Sequence, residues 1–115
     1  MQYLMMIHVD EAAMAAARQS DAQAIMAAYG AYTEAMRQAG VWLGGERLHP
    51  AANGAIVRNK AGKTSVVNGP YAEAREQLGG YYKIEAADLD AAIAWAARCP
   101  GAATGAVEVR PIWPM

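Results

Sequence analysis

Gln2-Tyr3-Leu4-Met5-Met6-Ile7-His8-Val9 opens the chain as a strand with two apolar faces. Alternation sends Tyr3, Met5, Ile7 and Val9 to one side and Leu4 and Met6 to the other. A strand of that kind needs cover on both faces. The next segment supplies one cover. It is an alanine-rich tract in which Ser20-Asp21-Ala22-Gln23 matches a capping box, the serine oxygen taking one free backbone N–H while Gln23 reaches back to another. From there Ile25, Tyr29, Tyr32, Met36 and Ala39 recur on one helical face, and Gly40 suits a left-handed stop. The pattern predicts a helix over residues 21–39, with a shorter, poorly capped helical run over residues 11–18.

Beyond Gly40, Val41-Trp42-Leu43 begins an extended segment that Gly44-Gly45 interrupts, the mark of a bulge or a close backbone approach, and Pro50 ends it. Residues 55–59 and 64–67 flank Lys60-Ala61-Gly62-Lys63 as a hairpin with an exposed tip. Residues 78–86 form a strand with Gly80, Tyr82, Ile84 and Ala86 on one side and Tyr81, Lys83 and Glu85 on the other. Asp88 caps a second helix presenting Leu89, Ala92, Ile93 and Ala96, which Pro100 stops. Residues 106–113 close the chain as a strand, with Val107 and Val109 alternating against Glu108 and Arg110. The order is the split βαβ of an α+β, ferredoxin-like βαββαβ domain with a hairpin inserted after the second strand. Both helices of such a fold lie on one sheet face, so the second apolar face of the first strand calls for a homodimer.

Composition narrows the function classes. At 115 residues the chain is one domain, residues 1–115, and roughly 65% of its unfolded surface can be buried. A hydrophobic fraction of 55%, a charged fraction of 18% and a net charge of −1 describe an ordinary globular domain, with no basic stripe for nucleic acid. Cys99 is the single cysteine, so no internal disulfide forms and the expected location is cytoplasmic. The apolar opening run is cut by His8 and Asp10, which disfavours a signal peptide or a membrane span. No His, Cys and carboxylate set has metal-ligand spacing, and no phosphate-cradling glycine motif precedes a helix, so neither metal nor cofactor is expected.

The chemistry-bearing residues concentrate in Asn68-Gly69-Pro70-Tyr71-Ala72-Glu73-Ala74-Arg75-Glu76-Gln77-Leu78-Gly79-Gly80-Tyr81-Tyr82 and at Gly44-Gly45-Glu46-Arg47-Leu48-His49-Pro50. Together with Tyr3-Leu4-Met5-Met6-Ile7, Ala87-Asp88-Leu89-Asp90, Cys99-Pro100 and Val107-Glu108-Val109-Arg110-Pro111, these stretches make nearly the whole chain resemble the DGPF branch of the YCII-related proteins. The resemblance implies a dimeric α+β barrel. It implies no reaction, because the biochemical function of that family is mostly undefined; some of its members are encoded beside extracytoplasmic-function sigma factors, which makes such a factor a possible partner. Where the DGPF signature has aspartate and phenylalanine, this chain has Asn68 and Tyr71, and the helix histidine of the wider family's histidine and aspartate pair falls at Tyr29. Asparagine does not exchange a proton near neutral pH, which disfavours a histidine-driven mechanism.

Two carboxylates are the candidate proton carriers. A bulge at the glycine pair would aim Glu46 into a pocket, the alternative being a solvated edge carboxylate. Glu76 lies one helical turn from Glu73, so the two could share a face and raise one pKa, or could be ordinary charges around Arg75. The candidate ligand-binding set is Tyr29, Asn68, Glu73, Tyr82 and Arg110, with Arg110 also able to satisfy Glu108 or Glu46. Tyr29, Tyr32, Tyr81 and Tyr82 read as core first and aromatic lining second, His49 as a loop residue, and Cys99 as inert. The resulting expectation is a small-molecule enzyme using an acid/base carboxylate between sheet and helices, with a noncatalytic ligand-binding or regulatory dimer as the alternative.

Overall fold

A computed structural model describes residues 1–71 and 75–115 of the chain. Ten elements run in the order β1 (Gln2–Val9), α1 (Glu11–Gln38), β2 (Trp42–Arg47), a 3-10 turn (Ala51–Asn53), β3 (Ala55–Lys60), β4 (Lys63–Asn68), β5 (Gln77–Glu85), α2 (Leu89–Ala97), α3 (Gly101–Thr104) and β6 (Ala106–Pro111). Four strands form one sheet in the order β2-β5-β1-β6. Every neighbouring pair is antiparallel, which with the crossover helices is the ferredoxin-like α+β arrangement.

The two faces of β1 have different fates. Tyr3, Met5, Ile7 and Val9 are buried beneath the helices, whereas Leu4, Met6 and His8 stay half-buried on the other side. The same parity runs across the sheet. Met5 lies opposite Tyr82 and Val109, and Met6 opposite Tyr81 and Glu108, so the side assignment read for β5 and β6 holds. The core joins Tyr3, Met5 and Ile84 to Tyr32 and Met36 of α1 and Ala92 of α2. On α2 the buried residues are Ala92 and Ala96, while Leu89 and Ile93 are exposed. The expected apolar face of that helix is therefore rotated. The bulky Trp95, partly buried and 6.3 Å from the Tyr32 ring, takes the packing position that Leu89 and Ile93 were expected to fill.

The α1 helix corrects the expected boundaries. It begins at Glu11, because Asp10 caps it by accepting from Ala13 N–H at 3.1 Å. At the predicted start the chain only bends: Asp21 leaves helical geometry at φ −133°, ψ 30°, and the Ser20 hydroxyl turns back to Ala17 O instead of capping forward. The C-terminus is as read. Gly40 at φ +74° lets its own N–H reach Arg37 O and the Val41 N–H reach Met36 O, a Schellman motif.

The β3–β4 hairpin stands apart in a two-stranded sheet of its own, turning through Ala61 and Gly62, both at positive φ. Every one of its strand residues is exposed, not the tip alone.

Candidate functional site

The space between α1 and the sheet is set by side chains that are missing. Along β5 the helix-facing positions are Ile84, Tyr82 and Gly80, and the last of these presents nothing to α1. On β2, Gly45 lies opposite Tyr82. Backbone proximity holds both positions bare. A Cβ on Gly45 would come within 2.7 Å of Tyr81 O and of the Tyr82 ring, and one on Gly80 within 2.8 Å of Glu46 O. Above this floor α1 contributes Glu11, Met14, Arg18, Ala22, Ile25, Tyr29 and Thr33, which recur every three or four residues along one face. This open cleft has a volume of about 460 Å³, within the range of small-molecule sites.

A few polar groups enter this apolar space. Tyr82 Oη and Thr33 Oγ1 are hydrogen-bonded at 3.2 Å. Tyr29 passes over Gly101, where a Cβ would lie 2.9 Å from its hydroxyl. Burial, with Cys99 and Tyr82 adding to it, pushes the Tyr29 phenol up to about 12. Tyr82 is raised for the same first reason, partly offset by its bond to Thr33. Both phenols are thus donors at neutral pH and not bases. Burial also lowers Arg18, the like charge of Arg47 lowers it further, and the Tyr29 phenol opposes the shift. Glu11 closes one end of the space by accepting from Ala51 N–H at 2.8 Å, which ties the turn after β2 to the start of α1. Trp42 forms a wall, its ring held by the Arg37 guanidinium 4.5 Å away.

A profile of the YCII-related domain matches residues 1–115. The chain is also similar to an uncharacterized protein of Rhizobium meliloti (strain 1021), at 35% identity over 114 residues that cover 97% of this chain and 92% of the relative. The chain belongs to the YCII-related family. That membership carries the fold and, with an uncharacterized relative, assigns no activity.

In this YCII-related protein the expected site residues divide. Tyr29 and Tyr82 line the space under α1. Glu46 is on the lining too, but it is exposed, and its register opposite Tyr81 turns its side chain toward the other face. The bulge exists and has the opposite effect to the expected one. The register slips between Trp42 and Gly44, leaving Leu43 as the extra residue, and this brings Arg47 opposite Gly80 on the helix side. Asn68 lies at the end of the exposed hairpin across from Ala55, and Glu76 is exposed ahead of β5; neither lines the space. Glu73 falls outside the described residues. Arg110 is on the sheet's other face, 3.9 Å from Glu108, whose second oxygen is 3.1 Å from His8 Nε2.

The sequence reading missed Arg18, Thr33 and Arg47. Arg18 had a signal: it continues the Tyr29, Ile25, Ala22 stripe by one more turn once α1 is allowed to start at Glu11 behind the Asp10 cap. Arg47 had none, because its side depends on which residue forms the bulge. Among the described residues no three His, Cys, Asp or Glu side chains converge as metal ligands, and no helix is long and apolar enough to cross a membrane.

Proposed function

We propose that this YCII-related protein is a noncatalytic binder of a small molecule, which it holds between α1 and the sheet, and that it works as a homodimer. The carrying observation is the glycine-floored space of about 460 Å³, whose tyrosine hydroxyls are donors and whose helix-side carboxylate, Glu11, is already engaged by Ala51. Of the carboxylates expected to move protons, Glu76 is exposed and away from the space, and Glu46, though on its lining, is exposed with a register that turns its side chain to the other face, which favours binding over acid/base turnover. A melting screen against small aromatic and carboxylate metabolites tests it: a binder at one hundred times its dissociation constant adds about 2.7 kcal/mol. Glu46→Gln should leave that binding intact. Turnover of any hit, lost in Glu46→Gln while binding persists, would return the protein to the enzyme reading.

The dimer reading rests on what is left uncovered. The described residues measure 47 × 43 × 18 Å, the thickness of one sheet and one helix layer, so among them no second layer covers Leu4, Met6 and Tyr81, which stay half-buried. The hairpin likewise exposes Val57 and Val66 as a cross-strand pair. A second sheet on that face would bury about 1,600 Å², enough for a stable pair. Sedimentation in dilute solution that shows only single subunits would reject the dimer.

A further inference from the structure

We infer that the ligand of this space is an organic anion, with its oxyanion group seated between Arg18 and Arg47 and its apolar body lying along Ile25, Met26 and Trp42. The inference rests on the binding reading above and names the ligand class that reading leaves open. Arg18, half-buried, reaches the space from α1 and Arg47, exposed, borders it from β2, close enough for their like charges to interact. Neither is ion-paired with a carboxylate among the described residues. Among the described residues the ion pairs are Met1 with Glu85, and Glu108 with His8 and Arg110. Arg37 and Arg98 lie over the rings of Trp42 and Trp95, and Arg58 and Arg75 are exposed to water. Among the described residues, Arg18, half-buried, and Arg47, exposed at the rim, are the two arginines that border this largely apolar space, and neither is ion-paired.

Two like charges held this way repel each other in partly desolvated surroundings, and an anion between them reverses the sign of that interaction. The nearby acids do not do so. Glu11 is engaged by the Ala51 amide near the start of α1, two turns from Arg18, and Glu46 takes the other face of β2. Burial, Arg47 and Tyr29 are what act on the Arg18 charge. His49 at the rim is exposed. The paired forks suit a carboxylate or phosphate group, which accepts two parallel N–H bonds from each guanidinium it faces. The Tyr29 hydroxyl lies near enough to act on the Arg18 charge, but it is hydrogen-bonded to Cys99, so the two guanidinium groups carry the recognition.

The test is calorimetry and methyl NMR on the full chain with three probes sharing one ring: benzoate, phenyl phosphate and neutral benzyl alcohol. At least one anion should bind about tenfold or more tighter than benzyl alcohol, as a charge-assisted bond inside a partly dry site implies, and added salt should weaken that anion alone. The better of the two anions identifies the group as carboxylate or phosphate. Arg18→Gln and Arg47→Gln should each erase the preference while benzyl alcohol binds as before. Arg18→Lys, which keeps the charge and loses the fork, should retain part of it; it also serves if Arg18→Gln fails to fold. Equal binding of all three probes, or an anion preference that survives both glutamine variants, overturns the inference and leaves the binding reading standing. If no probe shifts the methyl signals of Met14 or Ile25, both readings fall together.

Discussion

The two ends of the layer between α1 and the sheet are built from the same strands and differ in how they are filled. At one end Met5, Met36 and Ile84 are fully enclosed, the Tyr32 hydroxyl donates to Trp95 O at 2.6 Å, and its ring meets Tyr82 edge-on at 5.6 Å between centroids. At the other end β5 offers Gly80 where it offered Ile84 two inward positions away, and β2 offers Gly45 and Arg47. The first end is the ordinary solution to burying a sheet. The second is hollow because strand approach excludes side chains there, so the emptiness belongs to the backbone and not to loose packing. Stability and the proposed recognition are therefore separable along a single strand.

The largest break in that comparison comes from Met36→Ala. It removes a fully enclosed side chain from the packed end, and denaturant unfolding should register a loss of about 2–5 kcal/mol. Ligand affinity of the folded protein should hardly move. Gly80→Ala attacks the other end. Its new methyl meets Glu46 O, which is backbone and cannot rotate away, so β2 and β5 must part; a loss of about 1–3 kcal/mol should come with a loss of small-molecule binding. If Gly80→Ala binds as well as the parent chain, the hollow end is not the site.

How much of this was legible in the residues follows the same division. The packed end was readable because alternation in β1 and β5 is a local property: Tyr3, Met5, Ile7 and Val9 announce one buried face, and Ile84 and Tyr82 announce its continuation. The strand order followed from the order of elements, and Gly40 gave the end of α1. The hollow end was half readable. The glycine pair before Glu46 signalled a bulge and a close approach, and both are there. Which side Arg47 and Glu46 take depends on a single extra residue, Leu43, and a slip of one position reverses every side chain after it. Asp10 was overlooked as a cap in favour of Ser20, which hid the first half of α1 and with it Arg18.

Alkaline pH gives a smaller perturbation that reaches both ends. Burial is the first cause raising Tyr29 and Tyr32, Tyr29 to about 12 and Tyr32 higher still. A phenol whose folded pKa lies above its unfolded value favours the folded state while it stays protonated. That contribution is complete below about pH 10, the unfolded value, and is lost as the pH climbs through about 12. Phenolate absorbance should show a delayed titrating fraction that appears together with unfolding. Six phenols titrating together near the unfolded value would contradict the buried positions of Tyr29 and Tyr32.

The finest distinction uses two caps of the same chemistry. Asp10 accepts from Ala13 N–H at 3.1 Å at the start of α1, and Asp88 accepts from Ala91 N–H at 2.8 Å at the start of α2. Either residue changed to alanine should cost about 1 kcal/mol of stability, because each leaves one helix N–H without its side-chain acceptor. Affinity should tell them apart. The first turns of α1 carry Glu11, Met14 and Arg18 over the hollow end, and beyond Asp21 the helix continues on a different course toward Met36. Fraying in Asp10→Ala therefore loosens the roof where Arg18 is mounted and lowers ligand affinity, whereas Asp88→Ala frays a helix that lines only the packed end and leaves affinity unchanged. Equal affinities in the two variants would mean that the first half of α1 is rigid without its cap, held in place by the Glu11 contact to Ala51 alone.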